Sequence, residues 1–219
     1  MSGNHLKLYR LGDMIKYRTH RNNKSFGALY HIKNFPNSIV TEYILKTRNL
    51  KGSKSNRYSV LHKIVKSRTT PQLIPNENTL VIHLRIGDVI DDSKSSVDEM
   101  LTTYKIYTIN ERKWKGINYA RPFSYYKNII TNIKNLPIYN IILIGGYHIA
   151  GDHSKSEEYV NKIKLFFEQH NYNVDTRINN DPDEDFIFMS NSTYFVESGG
   201  GYSELISKMV ERNKKYVIK

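Results

Sequence analysis

Leu80-Val81-Ile82-His83-Leu84-Arg85-Ile86-Gly87-Asp88 opens as an apolar run and ends in polar chemistry. Its β-branched first half reads as a buried strand of the kind found in parallel sheets. His83 and Arg85 interrupt the C-terminal end, and Gly87-Asp88 closes it with a turn. A charge is costly in a core unless paired, so Arg85 is expected to emerge at the carboxyl edge of the sheet, where open α/β proteins bind ligands. A salt-bridged arginine on an edge strand is the alternative that this stretch leaves open.

From Thr79 onward strand and helix patterns alternate, as in βα units around a parallel sheet. Segment 139–144 reads as a second strand ended by Gly145-Gly146. Tyr172, Val174, Thr176 and Ile178 alternate as a third, Tyr194-Phe195-Val196 form a fourth and Tyr216-Val217-Ile218 a last. Between them, Arg121-Pro122 starts a helix with Phe123, Tyr126, Ile130 and Ile133 on one face. Ser154-Lys155-Ser156-Glu157 has the form of a capping box, opening a helix that turns Tyr159, Val160, Ile163, Phe166 and Phe167 inward. A short helix is expected over 183–190, and Leu205, Ile206, Met209 and Val210 mark another. Segment 89–120 reads as a long polar loop, a length that points to function or motion.

Upstream, Ile39, Val40, Tyr43, Ile44 and Thr47 follow one helical face, and Tyr58, Leu61, Ile64 and Val65 a second. The turn-rich break 71–78 then divides the chain into a partly helical N-terminal region, 1–78, and a Rossmann-like α/β domain, 79–219.

The chain has 219 residues and a net charge of +12, which favours anionic partners such as nucleotides and phosphates. It has no cysteine, which excludes disulfides and thiol nucleophiles. Neither a signal-peptide core nor a membrane-length apolar run occurs, so a soluble, cytoplasmic protein is expected. The basic stretch 16–24 has no interleaved aromatic beyond Tyr17 and reads as a solvated loop, so nucleic acid is not an expected partner.

Ser198-Gly199-Gly200-Gly201-Tyr202-Ser203 leads from a strand into a helix. Its glycines allow close backbone approach, and free N–H groups at a helix start point at an anion. With Arg85, which can hold phosphate through two parallel hydrogen bonds, it would form a diphosphate clamp from two strand ends. Alone, a glycine triplet is more often just a tight strand-to-helix turn. Neither GxGxxG nor a Walker loop occurs. The acidic run Asp181-Pro182-Asp183-Glu184-Asp185 and the pair Asp91-Asp92 are metal-ligand types. They read better as a helix N-terminus and a solvated loop, and no metal is expected. His148 and His153 flank Gly151-Asp152 after a strand, placed to touch a bound ligand.

Two of these stretches together resemble a known superfamily. His83-Leu84-Arg85-Ile86-Gly87-Asp88 is similar to the HxRxGD-type motif of the α1,2- and α1,6-fucosyltransferases and the protein O-fucosyltransferases. The run from Asp185 through Met189-Ser190 into Tyr194-Phe195-Val196 and Ser198–Ser203 is similar to their later motif. The resemblance covers 79–219, the nucleotide-binding half of a GT-B fold. It implies inverting, metal-independent transfer of fucose from GDP-fucose to a hydroxyl of a glycan or protein acceptor, with no cofactor. By resemblance, Arg85 would bind the β-phosphate with His83 beside it, and Asp185 would accept hydrogen bonds from guanine. The amides of Gly199, Gly200 and Gly201, with Ser198 and Ser203, would cradle the phosphates. Gly87, Asp88, Gly145, Gly146 and His148 would line the same site.

The chain departs from the family pattern in three places. Only residues 1–78 precede the opening strand, less than a complete acceptor domain. Glu197 stands where relatives have a small or neutral residue and would repel GDP unless it points away. Ser93 stands where the α1,6 branch carries its catalytic Glu, so Asp92, or else Asp91, is the expected base. Two other readings remain open at this point. One is a different nucleotide-sugar transferase, including a metal-dependent one using 181–185; the other is a non-catalytic nucleotide- or glycan-binding module.

Overall fold

The computed structural model describes residues 33–47, 54–103, 119–147 and 151–218. In chain order they form α1 (Ile39–Thr47), α2 (Lys54–Arg68), a 3-10 turn (Pro71–Leu73), β1 (Thr79–His83), α3 (Asp88–Asp91), α4 (Val97–Thr102) and α5 (Phe123–Ile133). There follow β2 (Asn140–Gly145), α6 (Ser154–Glu168), β3 (Asn173–Ile178), α7 (Pro182–Ser190), β4 (Tyr194–Val196), α8 (Gly200–Arg212) and β5 (Tyr216–Ile218). The strands make one five-stranded sheet, ordered β3-β2-β1-β4-β5, in which every pairing is parallel.

That order follows from the hand of the crossovers. The chain lays β1, β2 and β3 outward in one direction, then returns past β1 to add β4 and β5 on its other side. Because βαβ crossovers share one hand, reversing direction moves the later helices to the opposite face. Strand residues alternate accordingly. Leu80, Ile82, Ile141, Leu143, Tyr194 and Val196 join the core under α3 to α6. Val81, Ile144 and Phe195 join the core under α7 and α8.

Helices α1 and α2 belong to this second core. Ile39, Val40, Tyr43, Ile44, Leu61, Ile64 and Val65 pack in one cluster with Val81 and Phe195 of the sheet. A polar tie reinforces the packing: Asp183 on α7 accepts a hydrogen bond from the Ile39 N–H at the start of α1, at 2.9 Å. The helices before the 71–78 break thus share the sheet's hydrophobic core. Among the described residues no helix is long and apolar enough to cross a membrane.

Two local expectations are corrected. Segment 89–120 is not a continuous loop, because α3 and α4 occupy much of its first half. Val89, Ile90, Val97, Met100 and Leu101 are buried, and Ser96 with Glu99 closes a reciprocal capping box on α4. Residues 104–118 lie outside the described residues. The second correction concerns α6. It begins where expected, but His153 is its N-cap and Ser154 makes no capping bond. Asp152 accepts from the Ser154 N–H at 2.9 Å instead.

Candidate functional site

The sheet order reverses between β1 and β4, so the chain leaves these neighbouring strand ends toward opposite faces. The crevice opened at the carboxyl edge is where ligands bind in such folds. β1 is the central strand, so Arg85 is not an edge-strand residue. It lies just past the strand, at the mouth of the crevice.

The two strand ends are tied together. His83 Nδ1 lies 2.8 Å from Ser198 Oγ, and both residues are buried. The Ser198 N–H donates to Ser203 Oγ at 3.0 Å, which folds the turn onto the first turn of α8. Both hydroxyls are thereby committed to shaping the turn. Gly199 adopts φ 88° and ψ 173°, a region essentially reserved for glycine, and Gly200 follows at φ 80°. No side chain caps α8, so its first N–H groups, Gly201 among them, face the crevice with the positive end of the helix dipole.

Arg85 folds back onto its own turn. Its guanidinium pairs with Asp88 at 3.0 Å and donates to the Ile86 carbonyl at 3.3 Å. The salt bridge considered from sequence therefore exists, supplied by the motif's own aspartate. Gly145 supports this segment from β2. A Cβ there would lie 2.9 Å from Ile86 Cδ1 and 3.0 Å from the Leu84 carbonyl oxygen. Gly146 is buried next to it, and the Gly87 N–H is taken by Ser156 Oγ at 2.9 Å. His148 lies outside the described residues.

A second arginine enters the site. A Cβ on Gly199 would lie 3.7 Å from Arg121 Nη2 and 3.6 Å from Tyr119 Cε1. Arg121 Nε is buried without a hydrogen-bond partner among the described residues. Its guanidinium sits over the Tyr125 ring at 4.9 Å, and its backbone is clamped by Tyr159, whose hydroxyl accepts from the Arg121 N–H at 2.7 Å. Tyr119 links the two cations, its ring centre lying 5.9 Å from Arg85 Cζ. In the sequence Arg121 was visible only as the residue before a helix-starting proline. Nothing there brings it to Gly199.

The acidic residues are dispersed to separate tasks. Asp91 Oδ2 binds His153 Nδ1 at 2.8 Å, and its Oδ1 accepts from the Ser156 N–H at 2.9 Å. Asp92 is exposed at the C-cap of α3. Ser93 is buried, its carbonyl accepting from Lys155 at 2.7 Å. Asp181 caps α7 through the N–H groups of Asp183 and Glu184. Asp185 Oδ1 accepts from Arg177 Nε at 2.6 Å. Burial pushes the Asp185 carboxyl up to about 6 against the pull of Arg177. Glu197 turns away from the crevice, accepting from Ser207 Oγ at 2.7 Å. Among the described residues no three His, Asp or Glu side chains converge as metal ligands.

No protein-family model matches the chain, and no curated protein does. Solved structures of the protein O-fucosyltransferase POFUT1 are similar at low identity. The complex with GDP gives a TM-score of 0.40 at 11% identity, covering 75% of this chain and 50% of that one. The apo form gives 0.42 at 13%, covering 75% and 49%. A complex with GDP-fucose gives 0.37 at 13%, covering 86% and 55%. The chain spans about half the length of the solved chains it matches.

Proposed function

We propose that the crevice between β1 and β4 holds the diphosphate of a nucleotide sugar, and that the protein transfers the sugar to an acceptor hydroxyl with inversion. The motif resemblance makes the donor GDP-fucose and the acceptor a glycan or protein hydroxyl. The observation carrying this reading is the grouping of Arg85, Arg121 and the uncapped start of α8 around the Gly199–Gly200 turn.

The chemistry follows from charge. As the bond between the anomeric carbon and the β-phosphate oxygen breaks, its electron pair stays with the departing diphosphate. Groups already aimed at that charge stabilise the transition state more than the bound donor, which is what accelerates transfer. Arg85 and Arg121 supply two guanidinium groups and α8 the backbone donors, while His83, steadied by Ser198, stands beside them. In this reading no metal ion is required. The separate protein partners of Asp181, Asp183 and Asp185 support that view. Asp185 Oδ2 accepts no hydrogen bond from a described residue and is the oxygen assigned to guanine.

The test is release of GDP from GDP-fucose by the full chain, with and without chelator. Turnover indifferent to chelator and lost in Arg85→Ala fits the proposal. Turnover that vanishes with chelator and returns with manganese would select the metal-dependent alternative.

A further inference from the structure

We propose that His153, held by Asp91, is the general base that takes the proton from the acceptor hydroxyl. The proposal rests on the transferase reading and adds to it the group that activates the acceptor.

Helix α3 carries two carboxylates three residues apart, Asp88 and Asp91, which places them on one face with Cβ atoms roughly 5–6 Å apart. Asp88 holds Arg85 at 3.0 Å and Asp91 holds His153 at 2.8 Å. One helical turn at the carboxyl edge of the sheet therefore carries both the carboxylate that pairs with the leaving-group arginine and the carboxylate that holds an imidazole. A carboxylate only accepts hydrogen bonds, so in the neutral ring the proton sits at Nδ1 and the lone pair at Nε2. Tyr147 clamps the ring from one side, parallel to it at 4.0 Å between centres. The side chain is 17% exposed, so it is fixed in place yet open to solvent on one side.

The charged neighbours leave Asp91 as the carboxylate on the ring. Asp152 precedes it and bonds the Ser154 N–H. Lys155 donates to the Ser93 carbonyl, and Glu157 hydrogen-bonds Tyr147. Tyr147 also lines a hollow of about 400 Å³ with Glu157, Asn161, Thr176 and Asn179. Its hydroxyl, amide and carboxylate groups suit a hydroxyl-rich acceptor.

In the step, the acceptor O–H gives its proton to His153 Nε2 as an oxygen lone pair bonds the anomeric carbon. The bond from that carbon to the β-phosphate oxygen breaks, and its pair leaves on the nucleoside diphosphate. The resulting imidazolium is stabilised by Asp91 and returns its proton to solvent.

The test uses the full chain with GDP-fucose and water as acceptor, reading GDP release. His153→Asn keeps a donor toward Asp91, and so the start of α6, but removes the base. It should keep its melting temperature and its KM for the donor while kcat falls by about 10²–10⁴-fold. Azide, an anion with no proton to lose, should restore turnover in the variant and form fucosyl azide. A variant within threefold of wild type, or one that azide leaves inactive, would overturn the role. Wild-type protein that neither binds GDP nor releases it would instead overturn the transferase reading, and this one with it.

Discussion

His83 Nδ1 and Ser198 Oγ lie 2.8 Å apart, joining the ends of β1 and β4 across the crevice. The bond crosses the point where the sheet changes direction, so it holds the two sides of the proposed diphosphate site at a set spacing. Ser198→Ala removes it and should cost about 0.5–1.5 kcal/mol of stability. Urea unfolding measures that loss, and GDP affinity should fall with it.

The Gly199 turn can be tested separately. At φ 88° and ψ 173° an alanine is strained whatever space it has. Gly199→Ala should cost about 1–3 kcal/mol and weaken GDP binding beyond what Ser198→Ala does. Unchanged stability in thermal melts would mean that the turn is not held as described.

The two arginines should contribute comparably to nucleotide binding. A hydrogen bond to a charged group contributes about 1.5–3 kcal/mol, so Arg85→Ala and Arg121→Ala should each weaken GDP roughly 10- to 150-fold by calorimetry. Lysine should recover little at a site that uses the planar fork. An Arg121→Ala variant with wild-type affinity would remove Arg121 from the site.

Much of this arrangement could be read from residue patterns. Apolar runs, with one alternating segment for the third, placed all five strands, and the interruption at His83 and Arg85 marked the carboxyl end of the first. Segment 89–120 reads as a loop because its buried positions are split between two helices too short to show periodicity, although Ser96 and Glu99 carry a capping signature. The place of Arg121 and Tyr119 beside Gly199 is a tertiary contact across about 80 residues, which no local pattern encodes. The bond from Asp183 to Ile39 was equally invisible, since it spans 144 residues.

Asp185 predicts a pH signature. Burial holds its folded carboxyl at about 6, above the unfolded value, so its stabilising contribution is complete below the usual carboxylate range. That contribution is lost as pH rises through about 6. Asp185→Asn should therefore flatten the fall in stability between pH 4 and pH 7, by on the order of 2 kcal/mol. An unaltered pH profile of the melting temperature would contradict the assignment.

The most direct test of the central claim is a thermal-shift titration of the wild-type chain with GDP, GDP-fucose, UDP and ADP, repeated on Arg85→Ala. The account predicts a rise in melting temperature with GDP and GDP-fucose, little with UDP or ADP, and a much smaller rise in the variant at the same GDP concentration. Wild-type protein that no nucleoside diphosphate stabilises, or that Arg85→Ala leaves equally responsive, would contradict it.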